Sequence, residues 1–100
     1  MAESLCFHPH VTSDLRDAIR WYTNISPELA NRFRGSVNSG LDGILKNPVL
    51  YPIAFEEVRF VRVRSFPHLI LYHLLGNTAY VLGVFHGASN PDKWRQRAES

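Results

Sequence analysis

The sequence predicts an α+β domain: a short N-terminal strand, an antiparallel helical hairpin, then a three-stranded antiparallel sheet and a short C-terminal helix. Three observations predict it. Apolar residues recur at helical spacing through two consecutive segments between residues 13 and 46. Gly76-Asn77 separates two strongly apolar stretches, the signal of a two-residue β-hairpin turn. With 100 residues there is material for one core rather than two. No repeat, low-complexity tract or linker divides the chain, so residues 1–100 are read as one domain.

Leu5-Cys6-Phe7, between polar neighbours, is the expected first strand, with Cys6 expected to be buried in it. The first helix is expected to be capped by Ser13, with Asp14 at its positive end. Leu15, Ala18, Ile19, Tyr22 and Ile25 form its apolar face, and Trp21 falls at the edge or on the surface. Ser26-Pro27-Glu28 starts a second helix, with a capping hydroxyl before a proline. Leu29, Phe33, Val37, Leu41 and Ile44 carry its face to about residue 46. So short a link between the helices implies an antiparallel hairpin. Ser36, Gly40 and Gly43 make a small-residue strip on which either the first helix or a partner's helix can pack.

Asn47-Pro48 ends the helix, and Tyr51-Pro52 keeps the connection extended. Glu57 to Arg64 alternates as a strand, except that Val58 and Phe60 are out of phase with Val61 and Val63. A bulge near Phe60 and Val61 would reconcile them. His68–Leu75 and Thr78–His86 are the hairpin strands. Counting from the turn pairs Leu74 with Ala79, Tyr72 with Val81, Ile70 with Gly83 and His68 with Phe85. Both faces of that hairpin are then largely apolar, although a hairpin of helices covers only one. The uncovered face implies a binding partner, because the tail Asp92–Arg97 makes only a short helix.

Net charge is +2, but it is unevenly distributed. Residues 58–97 hold Arg59, Arg62, Arg64, Lys93, Arg95 and Arg97 against Asp92 alone. These cations can meet phosphate, pair with an acidic protein, or decorate a solvated strand and tail. Trp94 among them can stack on a nucleic acid or anchor the terminal helix to the core. One cysteine, no apolar run near the roughly 20 residues of a membrane span, and no basic-then-apolar leader together predict a cytoplasmic protein. His8 and His10, expected to share a strand face, lack companions for a metal site, and no cofactor is expected. His86, at the end of the last strand, can serve as a general acid or base, or tie down the loop that follows.

In this order the chain resembles the RelE/ParE superfamily of toxins from bacterial type II toxin–antitoxin pairs, from about Phe7 to Arg97. The resemblance is carried by Asp14-Leu15, Ala18, Trp21-Tyr22, Ala30, Arg32-Phe33, Asn47-Pro48 and Tyr51-Pro52. It continues through Arg64-Ser65-Phe66-Pro67 with Ile70 and Tyr72, then Val84, His86, Asn90-Pro91, Trp94 and Arg97. It implies a cognate antitoxin that wraps the toxin, with Ile70, Tyr72, Val81 and Phe85 as docking residues. It also implies one of two targets. ParE-like members poison DNA gyrase, and Arg59, Arg62, Arg64, Lys93, Trp94, Arg95 and Arg97 would be the contacts. RelE-like members cut mRNA on the ribosome without a metal, and His86 with Arg64 would then be catalytic. A family member that only binds its partner is the third reading. Leu69, Ala88 and Trp94 stand where RelE-like toxins carry arginine, arginine and tyrosine, which places the chain closer to the ParE branch. Ser89 departs from the arginine of many ParE-like sequences.

Overall fold

The computed structural model describes residues 2–100. In chain order the elements are β1 (Ser4–Phe7), α1 (Val11–Ile25), α2 (Pro27–Lys46), β2 (Ile53–Phe55), β3 (Val58–Arg62), β4 (His68–Leu75), β5 (Thr78–His86) and α3 (Pro91–Glu99). The expected α+β class holds. The three expected antiparallel strands are flanked by the expected N-terminal strand on one side and by a further strand on the other, giving the order β1-β5-β4-β3-β2. β1 runs parallel to β5, with Ser4 opposite Thr78, and the helical hairpin makes the crossover. β2 arises where the sequence suggested only an extended connection. It is three residues long, too short to show a period, and turns into β3 through Glu56 at φ 49°.

Local chemistry explains the helix ends. The Ser26 hydroxyl accepts from the Leu29 N–H at 3.4 Å, and Pro27 occupies the first turn, so α2 starts as its sequence requires. α1 starts two residues before Ser13. His10 is its cap residue and makes no side-chain cap, while the Ser13 hydroxyl donates to the His10 carbonyl at 3.0 Å. Ser13 is therefore inside the first turn and is not the cap. Ile25 is 62 % exposed, because it falls at the end of α1 beyond the reach of the sheet.

The hairpin packs on one face of the sheet. Tyr22, Ala30, Phe33, Val37 and Ile44 meet Val61, Val63, Ile70, Tyr72, Val81 and Val84 there. Each valine, isoleucine or phenylalanine among them, taken out of water, contributes about 1.5–3 kcal/mol before conformational entropy is set against it. The small-residue strip serves neither the first helix nor a partner. A Cβ on Gly40 would come within 2.8 Å of Ile70 Cδ1, and one on Gly43 would strike the Tyr51 hydroxyl. These glycines let α2 lie close to the sheet and to Tyr51.

The expected bulge at Phe60 and Val61 does not occur. β3 pairs with β4 without interruption, from Val58 opposite His73 to Arg62 opposite Leu69. Val58 and Phe60 point away from the helices while Val61 and Val63 point toward them, so the apparent phase change is one strand with two apolar faces. The irregularity lies between β4 and β5, where Leu71 faces Gly83 but Tyr72 faces Val81, leaving Leu82 as the extra residue. Counting from the turn is correct up to Tyr72 and Val81. Beyond the bulge, Ile70 faces Val84 instead of Gly83, and His68 faces His86 instead of Phe85. The slip turns Val84 toward the helices and Phe85 toward the opposite side.

Candidate functional site

The face opposite the hairpin carries a second apolar cluster. Phe55, Val58, Leu71 and Phe85 are buried in it, and Ala54, Phe60, Leu82 and Trp94 are half-buried around them. α3 covers part of this face. Its start is capped by the Asn90 side chain, whose Oδ1 accepts from the Asp92 N–H at 3.0 Å, with Pro91 following the cap. Trp94 lies 6.4 Å from Phe85 between ring centroids, and its Nε1–H donates to the Ser89 hydroxyl at 3.0 Å. That is the anchoring role rather than a free stacking platform.

Arg97 locks the helix down. Its Nη1 and Nη2 donate to Asp14 Oδ2 and Oδ1 at 2.7 and 3.0 Å, a bidentate pair with both side chains about 14 % exposed or less. The same Nη1 donates to the Leu82 carbonyl at 3.0 Å, and the guanidinium sits 4.8 Å from the Phe85 centroid. Asp14 also accepts from the Val84 N–H at 3.1 Å, so one carboxylate joins α1, β5 and α3. The expected role of Asp14 at the helix start is thus joined by a tertiary one, and Arg97 is engaged inside the protein. Gly83 makes room for this: a Cβ there would collide with the Phe85 ring and stand 2.8 Å from Arg97 Nη1.

The remaining cations do not form one patch. Arg62 stacks 5.8 Å from the centroid of Phe60 and Arg95 5.2 Å from that of Phe55, so both line the second face. Lys93 is exposed on α3. Arg59 is half-buried and donates to the Tyr51 carbonyl at 2.6 Å. Arg64 lies beyond β3, in a groove with Arg32. The second face is therefore apolar at its centre and edged by guanidinium groups.

Three of the four expected docking residues are elsewhere. Ile70, Tyr72 and Val81 are 0 % exposed beneath the hairpin, and the Tyr72 hydroxyl donates to the Pro48 carbonyl. Burial pushes the Tyr72 phenol up to about 12. These residues are core and offer no surface. Phe85 alone of the four lies on the second face, beside Leu71 and Leu82. Phe55, also in this cluster, belongs to the unforeseen β2.

The two residues considered for nuclease chemistry, His86 and Arg64, line different cavities. His86 is exposed and its Nδ1 accepts from the Ala88 N–H at 3.0 Å, while its carbonyl accepts from Ser89 N–H at 2.9 Å. It ties down the loop. His86 lines a cavity of about 240 Å³ with Trp21, Tyr22 and His68, whereas Arg64 lines a different one. Other sequence expectations are also corrected. Cys6 is exposed, because β1 is an edge strand with its side toward solvent. His8 follows β1 and His10 caps α1, so they share no strand face. Among the described residues no three His, Cys, Asp or Glu side chains are grouped as metal ligands.

His68 is buried beside Tyr22, Phe33 and His86, with ring centroids 5.8, 5.0 and 5.4 Å away, and its Nδ1 has no hydrogen-bond partner. Burial, and then the neighbouring His86, lower its pKa below 6.5. The unfolded chain therefore takes up the proton first on acidification. The stability due to neutral His68 is complete above 6.5 and declines as pH falls below that value and through the folded pKa. Denaturant midpoints measured between about pH 7 and about pH 5 are expected to fall, and His68→Phe to flatten that fall. An equally steep decline in His68→Phe would assign the effect to other groups.

A helical hairpin thus covers one face of a mixed, mainly antiparallel sheet, and a terminal helix lies on the other. The sequence model of the ParE toxin family (ParE toxin of type II toxin-antitoxin system, parDE) matches residues 5–91, and the chain belongs to that family. Its fold is similar to that of a chain from the chromosomal ParDE TA system of P. aeruginosa. The TM-score is 0.70 at 18 % identity, covering 83 % of this chain and 94 % of that one. No curated protein matches the sequence significantly. No helix among the described residues is long and apolar enough to cross a membrane.

Proposed function

We propose that this protein is the toxin of a type II toxin–antitoxin pair in the bacterial cytoplasm. In this reading it inhibits DNA gyrase and is neutralised by an antitoxin that docks on the second face of the sheet. The observation that carries the reading is that face: half-buried Phe60, Leu82 and Trp94 around a buried apolar cluster, with Arg62 and Arg95 stacked on its phenylalanines. An amphipathic segment with acidic flanks fits it, since apolar side chains displace water while carboxylates meet the guanidinium groups. Membership of the ParE family favours gyrase over metal-independent RNA cleavage.

Two measurements test it. The purified protein is expected to abolish supercoiling by purified gyrase, and antitoxin to restore it; unimpaired supercoiling would remove gyrase as the target. Leu82→Asp is expected to weaken antitoxin binding roughly thirtyfold, the scale of a central interface residue. Wild-type affinity in a folded Leu82→Asp protein would move the antitoxin to another surface.

A further inference from the structure

A groove of about 470 Å³ runs between α2 and the loop joining β3 to β4. Arg32, Ser36 and Ser39 line one side, at the spacing that puts residues on one helix face. Arg64 and Ser65 line the other, and the space beside Gly35 is open, since a Cβ there would meet nothing within 4 Å. No acidic residue lines the groove. Among the described residues the basic and acidic side chains within 4.0 Å of each other are Arg97 with Asp14 and His73 with Glu57, so neither Arg32 nor Arg64 has a carboxylate that close.

The loop is held firmly in place. The Val63 N–H donates to the His68 carbonyl at 2.9 Å, the Phe66 N–H to the Val63 carbonyl at 3.0 Å, and the Gly87 N–H to the Pro67 carbonyl at 2.7 Å. Phe66 is wedged edge-on against Tyr22 and Phe33, with centroids 5.0 and 5.1 Å away. Ser65, between these anchors, has φ 71°, a left-handed conformation that costs a non-glycine residue of order 1 kcal/mol. Arg64 and Ser65 are thus presented toward α2 by a tight loop and not by a free-swinging tail.

The geometry points to a binding site for a phosphoryl oxyanion in this groove, formed by Arg32, Ser36, Ser39, Arg64 and Ser65. Two planar guanidinium forks and three hydroxyls outnumber what the two oxygens of a carboxylate can accept, but they match the three or four oxygens of a phosphoryl group. The site is distinct from the second face of the sheet and independent of the toxin reading. Its ligand is either a free phosphate or the phosphodiester of a nucleic-acid strand, which share this chemistry.

Amide and guanidinium NMR shifts during titration with inorganic phosphate, against sodium chloride at matched ionic strength, test the site. Saturable shifts are expected at Ser36, Ser39, Ser65 and the two guanidinium groups. Arg32→Gln with Arg64→Gln is expected to weaken binding roughly tenfold or more. Arg20→Gln, in the separate groove lined by Arg16, Arg20 and Arg34, is expected to leave it unchanged. Shifts that fail to saturate, that match those in chloride, or that persist in the double variant would overturn the site. A second titration with a short single-stranded oligonucleotide identifies the source. Tighter binding than phosphate at the same residues assigns the site to a nucleic-acid strand, and equal or weaker binding assigns it to free phosphate.

Discussion

Asp14→Ala is expected to destabilise the protein by about 3 kcal/mol, measured as a lower denaturant midpoint at unchanged slope. The carboxylate accepts two hydrogen bonds from Arg97 and one from the Val84 N–H, in a site that leaves about 14 % or less of either side chain exposed. Removing it leaves a nearly buried guanidinium with only the Leu82 carbonyl and the Phe85 ring as partners. The same change frees α3, so Trp94 fluorescence should shift to the red under native conditions. Arg97→Ala should cost a similar amount, and the double variant much less than the sum, because the two act as one unit. Additive losses, or a loss below about 1 kcal/mol, would show that the pair is no latch.

Ile70→Asp is expected to unfold the domain. Ile70 is 0 % exposed and packed under α2 against Gly40, so a carboxyl there is stripped of water with nothing to pair it. The cost is about 4 kcal/mol or more, comparable to the whole stability of a small domain. Circular dichroism should show loss of the cooperative melt. By contrast Leu82→Asp, on the half-buried second face, should keep the fold at a cost of about 1 kcal/mol. A folded Ile70→Asp protein with normal melting would contradict the assignment of that face to the core.

The contrast between those two residues shows where the sequence was readable. Ser26-Pro27, Asn47-Pro48 and Gly76-Asn77 act through neighbours in the chain, and each does what local chemistry requires. The apolar character of both hairpin faces was also legible, and with it the need for cover on the second face. Which face the helices take was not, because a bulge at Leu82 inverts the side of every later residue on β5, and only Gly83 beside it hints at an irregularity. Pairs distant in sequence were equally hidden. Asp14 read as a helix-start residue because nothing near it in the chain announces Arg97, 83 positions away. The run of cations from Arg59 to Arg97 looked like one patch for the same reason: the fold separates chain neighbours onto the two sheet faces and a loop. The groove of Arg32 and Arg64 joins two elements that contribute one arginine each, too sparse a signal to notice beforehand.

The pairing of β1 with β5 has a kinetic consequence. Ser4 meets Thr78 across 74 residues, and the Asp14–Arg97 contact spans 83, so two of the fold's closures wait for the far end of the chain. Loop closure of that length is entropically unfavourable and slow to find. The helical hairpin needs only local contacts and can form much earlier. A growing chain therefore carries a finished hairpin whose sheet is missing, and its apolar faces stay uncovered until the last strand and helix arrive.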